Sequence, residues 1–130
     1  MKNFTFQSNL AANYIVCNTP IGSESLIIQK IINEIRGPVI YIVENREKQE
    51  RFVEACEFLC PKLIVEALPA WDCFPYDRLF PSPSVIASRV KTLTNIVNRL
   101  SDFNILVVTV SSTLQLVPPP SHFKGRYIEI

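Results

Sequence analysis

The stretch NTPIGSESLIIQKI, from Asn18 to Ile31, has the order of parts of a phosphate-binding loop: an apolar run before it, a tight turn, and a helix after it. The apolar run is NYIVCN (13–18), which predicts a short strand. Ser23 stands at the expected N-cap position, and Gly37-Pro38 should end the helix. The helix itself is predicted from apolar residues at helical spacing: Ile28, Ile31, Ile32 and Ile35.

A working phosphate loop has the pattern G-x-x-x-x-G-K-[ST], in which backbone N–H groups and the lysine hold phosphate and the hydroxyl binds Mg²⁺. Residues 19–26 replace every position of this pattern: the glycines by Thr19 and Glu24, the lysine by Ser25, and the hydroxyl residue by Leu26. Gly22 and Ser23 alone keep the appearance of such a loop. The residues leave three interpretations: a nucleotide site, an ordinary turn capped by Ser23, or a P-loop fold whose site has decayed.

Strand and helix patterns alternate along the rest of the chain. Apolar, β-branched runs predict strands at 38–44, 62–68 and 103–110, and the continuous run at 38–44 predicts a strand covered on both faces. Helices are predicted at 45–60 and 84–100. Their inward stripes should be Phe52, Cys56, Leu59 and Cys60 in the first, and Ile86, Val90, Leu93, Val97 and Leu100 in the second. This alternation predicts one α/β domain over residues 1–130 with a parallel sheet and right-handed crossovers.

The composition describes a globular, rather apolar chain: 48% of its 130 residues are hydrophobic, 19% are charged, and the net charge is +1. Such a small charge gives no overall attraction to nucleic acid or membrane. No apolar run approaches the ~20 residues of a membrane span, and the N-terminus is too polar for a signal peptide, so we expect a cytoplasmic protein. The four cysteines form no C-x-x-C pair, so we expect buried or half-buried free thiols and no metal.

The most specific motif lies in a proline-rich loop and the helix that follows it. Its residues are Leu68, Pro69, Trp71, Phe74, Pro75, Tyr76, Asp77, Ser88 and Arg89. Together with GPVIYIVENREKQERF (37–52) and ILVVTVSSTLQLVPPPSHF (105–123), this motif resembles the N-terminal region of the bacterial transcription-repair coupling factors. That region is in turn similar to the first domain of the excision-repair protein UvrB. The resemblance runs from about Tyr14 to Phe123.

The resemblance implies a three-layer, P-loop NTPase-like fold with a degenerate Walker A motif. The loop is intact in UvrB and degenerate in the coupling factors, as it is in residues 19–26 here, so the resemblance favours a P-loop scaffold that has lost its ligand. Thr109 stands where an aspartate would be needed for Mg²⁺. We therefore expect no catalytic residues, no cofactor and no metal in this chain.

Full-length members of this family are ATP-driven DNA translocases that remove stalled RNA polymerase and recruit excision repair. The resemblance implies that their contacts with DNA, RNA polymerase and UvrA run through parts C-terminal to the matched region. We therefore expect a fragment of a multidomain protein, acting as a non-catalytic scaffold whose partners are other domains of the same or a split protein. The alternatives are a small P-loop nucleotide-binding enzyme and a nucleic-acid-binding module.

The loop LPAWDCFPYD (68–77) has two interpretations. Its aromatic residues either close the core over the strand ends, with Trp71 largely buried, or form a contact surface for DNA or a neighbouring domain. Asp72, Asp77 and Arg89 are a candidate charge network between the loop and the helix; an acid/base role for the two aspartates is disfavoured because no nucleophile accompanies them. The final segment RYIEI (126–130) alternates apolar and polar residues, which predicts a strand and self-association through its edge.

Overall fold

The computed structural model describes residues 15–20, 22–35, 37–74, 78–98 and 103–124. The predicted alternation of helix and strand is confirmed. The elements are, in chain order, α1 (Glu24–Ile35), β1 (Val39–Val43), α2 (Arg46–Leu59), β2 (Val65–Leu68), α3 (Pro83–Asn98), β3 (Ile105–Thr109), the short α4 (Val110–Thr113), and one 3₁₀ turn at Pro120–His122.

The three strands form an all-parallel sheet in the order β1-β3-β2. Val39 of β1 and Val65 of β2 both lie opposite Ile105 of β3, so the strands start level and their carboxyl ends meet at one edge. Parallel neighbours need a crossover connection, which α2 and α3 provide. The predicted parallel α/β architecture is confirmed.

The main core lies between one face of the sheet and the helices α1 and α2. Seven buried residues form it: Ile28, Ile32, Phe52, Cys56, Val43, Ile105 and Val107. Tyr41 packs against the Phe52 ring with 4.3 Å between the ring centroids. The predicted inward stripe of α2 is confirmed at Phe52, Cys56 and Cys60, but it is wrong at Leu59, which is 41% exposed at the last turn of that helix.

The second face of the sheet is only partly covered. The helix α3 lies along β2, where Thr92 Oγ1 donates to the Ala67 carbonyl and Asn95 Nδ2 donates to Glu66 Oε1. On the far side of the central strand, Ile40 and Ile42 of β1 are 64% and 56% exposed. The prediction that this strand is covered on both faces is therefore wrong, because α3 lies on β2 and leaves the β1 side open.

The face that α3 turns inward differs from the predicted one. Val85, Arg89 and Thr92 are buried, whereas Ile86 and Val90, predicted to point inward, are 39% and 48% exposed. Arg89 and Thr92 face the sheet because their side chains donate hydrogen bonds to the carbonyls of Pro69 and Ala67. The inward face of α3 therefore includes these polar residues. Leu100 lies outside the described residues.

Residues 15–18 do not form the predicted strand. Ile15 is 87% exposed, and the backbone of Asn18 is left-handed, with φ 57°, which interrupts an extended conformation just before the turn. Asn13 and Tyr14, the remainder of that prediction, lie outside the described residues, as does the predicted strand at 126–130. The four cysteines are free; Cys56 and Cys60 are buried and Cys73 is half-buried, but Cys17 is exposed, contrary to expectation.

Candidate functional site

The turn before α1 is held by two hydrogen bonds from Ser23 to Pro20. The Ser23 N–H donates to the Pro20 carbonyl at 3.0 Å, and the Ser23 hydroxyl donates to the same oxygen at 2.7 Å. Gly22 has φ +86°, a conformation that side chains disfavour, although the space around it is open. Ser23 lies immediately before the helix as predicted, and Thr19 is half-buried just ahead of the turn.

The Glu24 carboxylate bonds back to the turn that precedes α1. Its Oε2 accepts a hydrogen bond from the Gly22 N–H at 3.0 Å, so this N–H is already bonded within the chain. Ser25, at the lysine position, is fully buried and donates its hydroxyl proton to the Gly22 carbonyl at 2.8 Å. Leu26, at the Mg²⁺ position, is 46% exposed and carries no oxygen ligand.

An open cavity of about 730 Å³ lies beside this turn, between β1 and α2. Its lining includes the carboxylates of Glu24, Glu44 and Glu54, against the two cations Lys48 and Arg51. Lys48 is already paired with Glu44 at 2.6 Å, which raises the pKa of the lysine and lowers that of the glutamate. Arg51 is paired with Glu47 of α2 at 2.7 Å. The charge of this cavity therefore disfavours a triphosphate.

The carboxyl edge of the sheet carries no metal site among the described residues. Thr109, where the template requires aspartate, is buried and caps α4: its hydroxyl accepts from the Ser112 N–H, and Ser112 Oγ in turn accepts from the Thr109 N–H. Gln49, which the sequence did not single out, is buried and donates Nε2 to the carbonyls of Leu68 and Val107. Gln49 therefore links α2 to β2 and β3, and Thr109 caps the helix that follows β3.

Trp71 and Arg89 hold the loop after β2 in place. Leu68 is buried, and the Pro69 carbonyl accepts a hydrogen bond from Arg89 Nη1 at 2.5 Å. The Arg89 guanidinium lies over the Trp71 ring, 4.3 Å from its centroid. Trp71 is half-buried, and its ring covers the guanidinium of Arg89.

Gln115 completes this arrangement, although no sequence signal singled it out. Its Oε1 accepts from the Trp71 N–H at 3.0 Å and from Arg89 Nη1 at 3.2 Å. Gln115 follows α4, so its role depends on the tertiary placement of a segment 44 residues away from Trp71. A short amide in a loop gives no pattern that would reveal such a bridge.

The expected contact between Asp72 and Arg89 is not formed. Asp72 is exposed, and both of its carboxylate oxygens accept from the Ser82 N–H, at 3.1 and 3.3 Å. Hydrogen bonding by the Ser82 side chain, and after it by the Ser82 backbone, lowers the pKa of the Asp72 carboxyl group. Ser88 is also exposed, and Phe74 is 79% exposed. Pro75, Tyr76 and Asp77 lie outside the described residues.

The structure therefore defines a parallel α/β fold, in which a three-stranded sheet is flanked by helices. No protein-family model matches the chain. The chain is homologous to transcription-repair coupling factors. It is 24% identical to that of Rickettsia bellii over 100 residues, 25% identical to that of Escherichia coli over 100 residues, and 21% identical to that of Rickettsia prowazekii over 104 residues.

These matches cover 77–80% of this chain, but the chain spans only 8–9% of the length of those relatives. No helix in the part of the chain that the structure describes is long and apolar enough to cross a membrane.

Proposed function

We propose that the chain is a non-catalytic interaction domain in transcription-coupled nucleotide excision repair, built on a UvrB-like scaffold with a degenerate Walker A turn. The observation that carries the proposal is the hydrogen bond from the Gly22 N–H to Glu24. It places a fixed negative charge where a nucleotide would bring its own, while Ser25 is buried and cannot supply the missing cation.

An interaction role requires a surface that a partner can cover, and the second face of the sheet offers one. Ile40 and Ile42 are more than half exposed, on a strand that pairs on one side alone within the described part of the chain. Apolar side chains grouped on a sheet face are a common feature of surfaces that pack against another domain. The partner that we propose is another domain of a coupling factor, in the same polypeptide or in a separate one. Contacts with DNA, RNA polymerase and UvrA are assigned to such other domains.

The strand bias of repair in cells tests this function. Ile40→Glu with Ile42→Glu should abolish the faster removal of lesions from the transcribed strand, because two charges on the packing face block docking. Phe58→Glu is the matched control, since Phe58 is 86% exposed on α2, on the other side of the sheet. The control should leave the strand bias unchanged. Normal strand bias in the double variant, at normal protein levels, would contradict the proposal.

Nucleotide binding separates this function from the alternative of a small P-loop enzyme, which the cavity beside Gly22 would otherwise favour. Calorimetry with Mg-ATP at millimolar concentration should give no saturable heat. Ser25→Lys with Leu26→Thr should not restore hydrolysis, because Glu24 still occupies the turn and a second motor domain is not supplied. Saturable binding that requires Mg²⁺ would support the enzyme instead.

A further inference from the structure

The strand β2 forms one edge of the sheet, where it pairs with β3 alone as far as the structure describes the chain. The helix α2 packs on one face of the sheet and α3 on the other, so the outer edge of β2 lies at the bottom of a groove between the two helices. Val65 and Ala67 line the floor of this groove, with Glu54 of α2 on one wall and Ser88 of α3 on the other. Its volume of about 460 Å³ is in the range of ligand sites.

The pairing between β2 and β3 decides which backbone groups of β2 face the groove. The Ile64 carbonyl accepts from the N–H groups of Asn104 and Ile105, at 3.0 and 3.2 Å, so the backbone of Ile64 faces β3. Because the backbone groups of successive residues point to opposite edges of a strand, Val65 and Ala67 direct theirs outward, into the groove. Thr92 Oγ1 donates to the Ala67 carbonyl from the α3 side. The Val65 N–H and carbonyl and the Ala67 N–H therefore form a row that an added strand can bond.

The walls of the groove carry more negative than positive charge. The lining has four carboxylates against two cations: Glu50, Glu54, Glu57 and Glu66, against Arg46 and Lys91. Glu50 is paired with Arg46 at 2.7 Å. Glu54 and Glu57 are exposed, lie three residues apart on one side of α2, and form no ion pair within the described ranges. This charge disfavours a nucleic acid in the groove and favours a positively charged occupant.

We propose that this groove binds an extended peptide segment, which adds as a strand beside β2 and carries lysine or arginine on the side that faces α2. Side chains of an extended segment alternate between its two faces, so every second one is directed toward α2. The backbone of the segment bonds Val65 and Ala67, and its cation lies beside Glu54 and Glu57. The groove lies at the opposite edge of the sheet from β1, so the inference does not depend on the docking face of β1 or on the role in repair.

Backbone NMR on the ¹⁵N-labelled chain tests the proposal with three capped peptides of equal length. The probe is acetyl-Thr-Val-Arg-Val-Arg-Val-Thr-amide, in which alternation places both arginines on one face. The second peptide has glutamate in place of each arginine. The third keeps the arginines but is N-methylated at its central Arg-Val-Arg, which removes the backbone donors. The probe, titrated to millimolar concentration, should shift the N–H signals of Val65 and Ala67 downfield in a saturable manner and slow their exchange with water.

Two double variants separate the charge of the groove from the charge of the whole chain. Glu54→Gln with Glu57→Gln should weaken binding of the probe about fivefold, which is the effect expected for two partly exposed ion pairs. Glu34→Gln with Glu47→Gln makes the same change in net charge at exposed positions that do not line the groove. This control should bind the probe as the parent chain does.

Saturable shifts at the two outward N–H groups, with arginine and unmethylated amides both required, support the proposal. Absence of these shifts would overturn it, and so would equal binding of the glutamate peptide or of the N-methylated one. Unchanged binding in the groove variant would also contradict it. Equal weakening in both double variants would do the same, because the attraction would then come from the charge of the whole chain.

Discussion

Truncation of Trp71 to alanine isolates the energetic role of the indole ring in the proline-rich loop. The backbone N–H of this residue bonds Gln115 and is retained in the variant, so only side-chain contacts are lost. Removing a fully buried tryptophan side chain costs ~3–5 kcal/mol. Because Trp71 is half-buried, we expect about 2 kcal/mol from lost packing, and the contact with the Arg89 guanidinium at 4.3 Å adds about 1 kcal/mol.

Urea denaturation followed by far-ultraviolet circular dichroism measures this loss, since the variant has no other tryptophan to report by fluorescence. With a denaturant slope of about 2 kcal/mol/M, a loss of about 3 kcal/mol lowers the midpoint by about 1.5 M. Trp71→Phe, which keeps an aromatic face for Arg89, should lose less. Phe80→Ala, at a 94% exposed position beyond the same loop, should stay within about 0.5 kcal/mol of the parent. A Trp71→Ala midpoint equal to that of the parent would refute the packing between ring and guanidinium.

Three further outcomes are expected. Gln49→Ala should cost about 2–4 kcal/mol in urea denaturation, because it removes the amide that donates to the buried carbonyls of Leu68 and Val107; an unchanged midpoint would mean that water replaces the amide. Thiol labelling at pH 8 should modify the exposed Cys17 first. Cys56 should resist, since burial above all raises its pKa to about 11 and leaves about one thiol in a thousand ionised; equal rates would contradict this. Sedimentation velocity should show self-association that increases with concentration. Deletion of residues 127–130 should weaken it if the predicted C-terminal strand forms the contact, whereas Ile40→Glu should weaken it if the open sheet face does; a monomer at every concentration would contradict both.

The order of elements and the parallel sheet could be predicted because they depend on local periodicity and on Gly and Pro at the element ends. The β-branched run at 38–44 and the stop at Gly37-Pro38 gave β1 and the end of α1 correctly. The elements that cover each face of the sheet could not be predicted, because an apolar strand has the same sequence pattern whether helices lie on one face or on both. Ile40 and Ile42 are apolar like the rest of β1, yet they are exposed.

The prediction of the inward face of α3 was wrong for a different physical reason. Hydrophobic periodicity assigns a helix face by apolar residues, but Arg89 and Thr92 turn inward to donate to carbonyls at the strand ends. The contacts of the candidate site were also beyond what sequence patterns could predict. Residues 19–26 could be recognised as lacking phosphate ligands, but the bond from Gly22 to Glu24 and the bridge made by Gln115 depend on geometry that the sequence does not encode locally.

The carboxylate of Glu24 has a consequence for how this domain responds to the metabolic state of a cell. A domain that binds ATP gains stability in proportion to the logarithm of the free nucleotide concentration once that exceeds the dissociation constant, and its loop changes with each round of binding and hydrolysis. Here the acceptor at Gly22 is covalently part of α1 and is present at fixed stoichiometry. If the chain binds no nucleotide, as we propose, we expect the start of α1 to keep the same conformation in starved and growing cells, and so to give a neighbouring domain a constant surface to pack against.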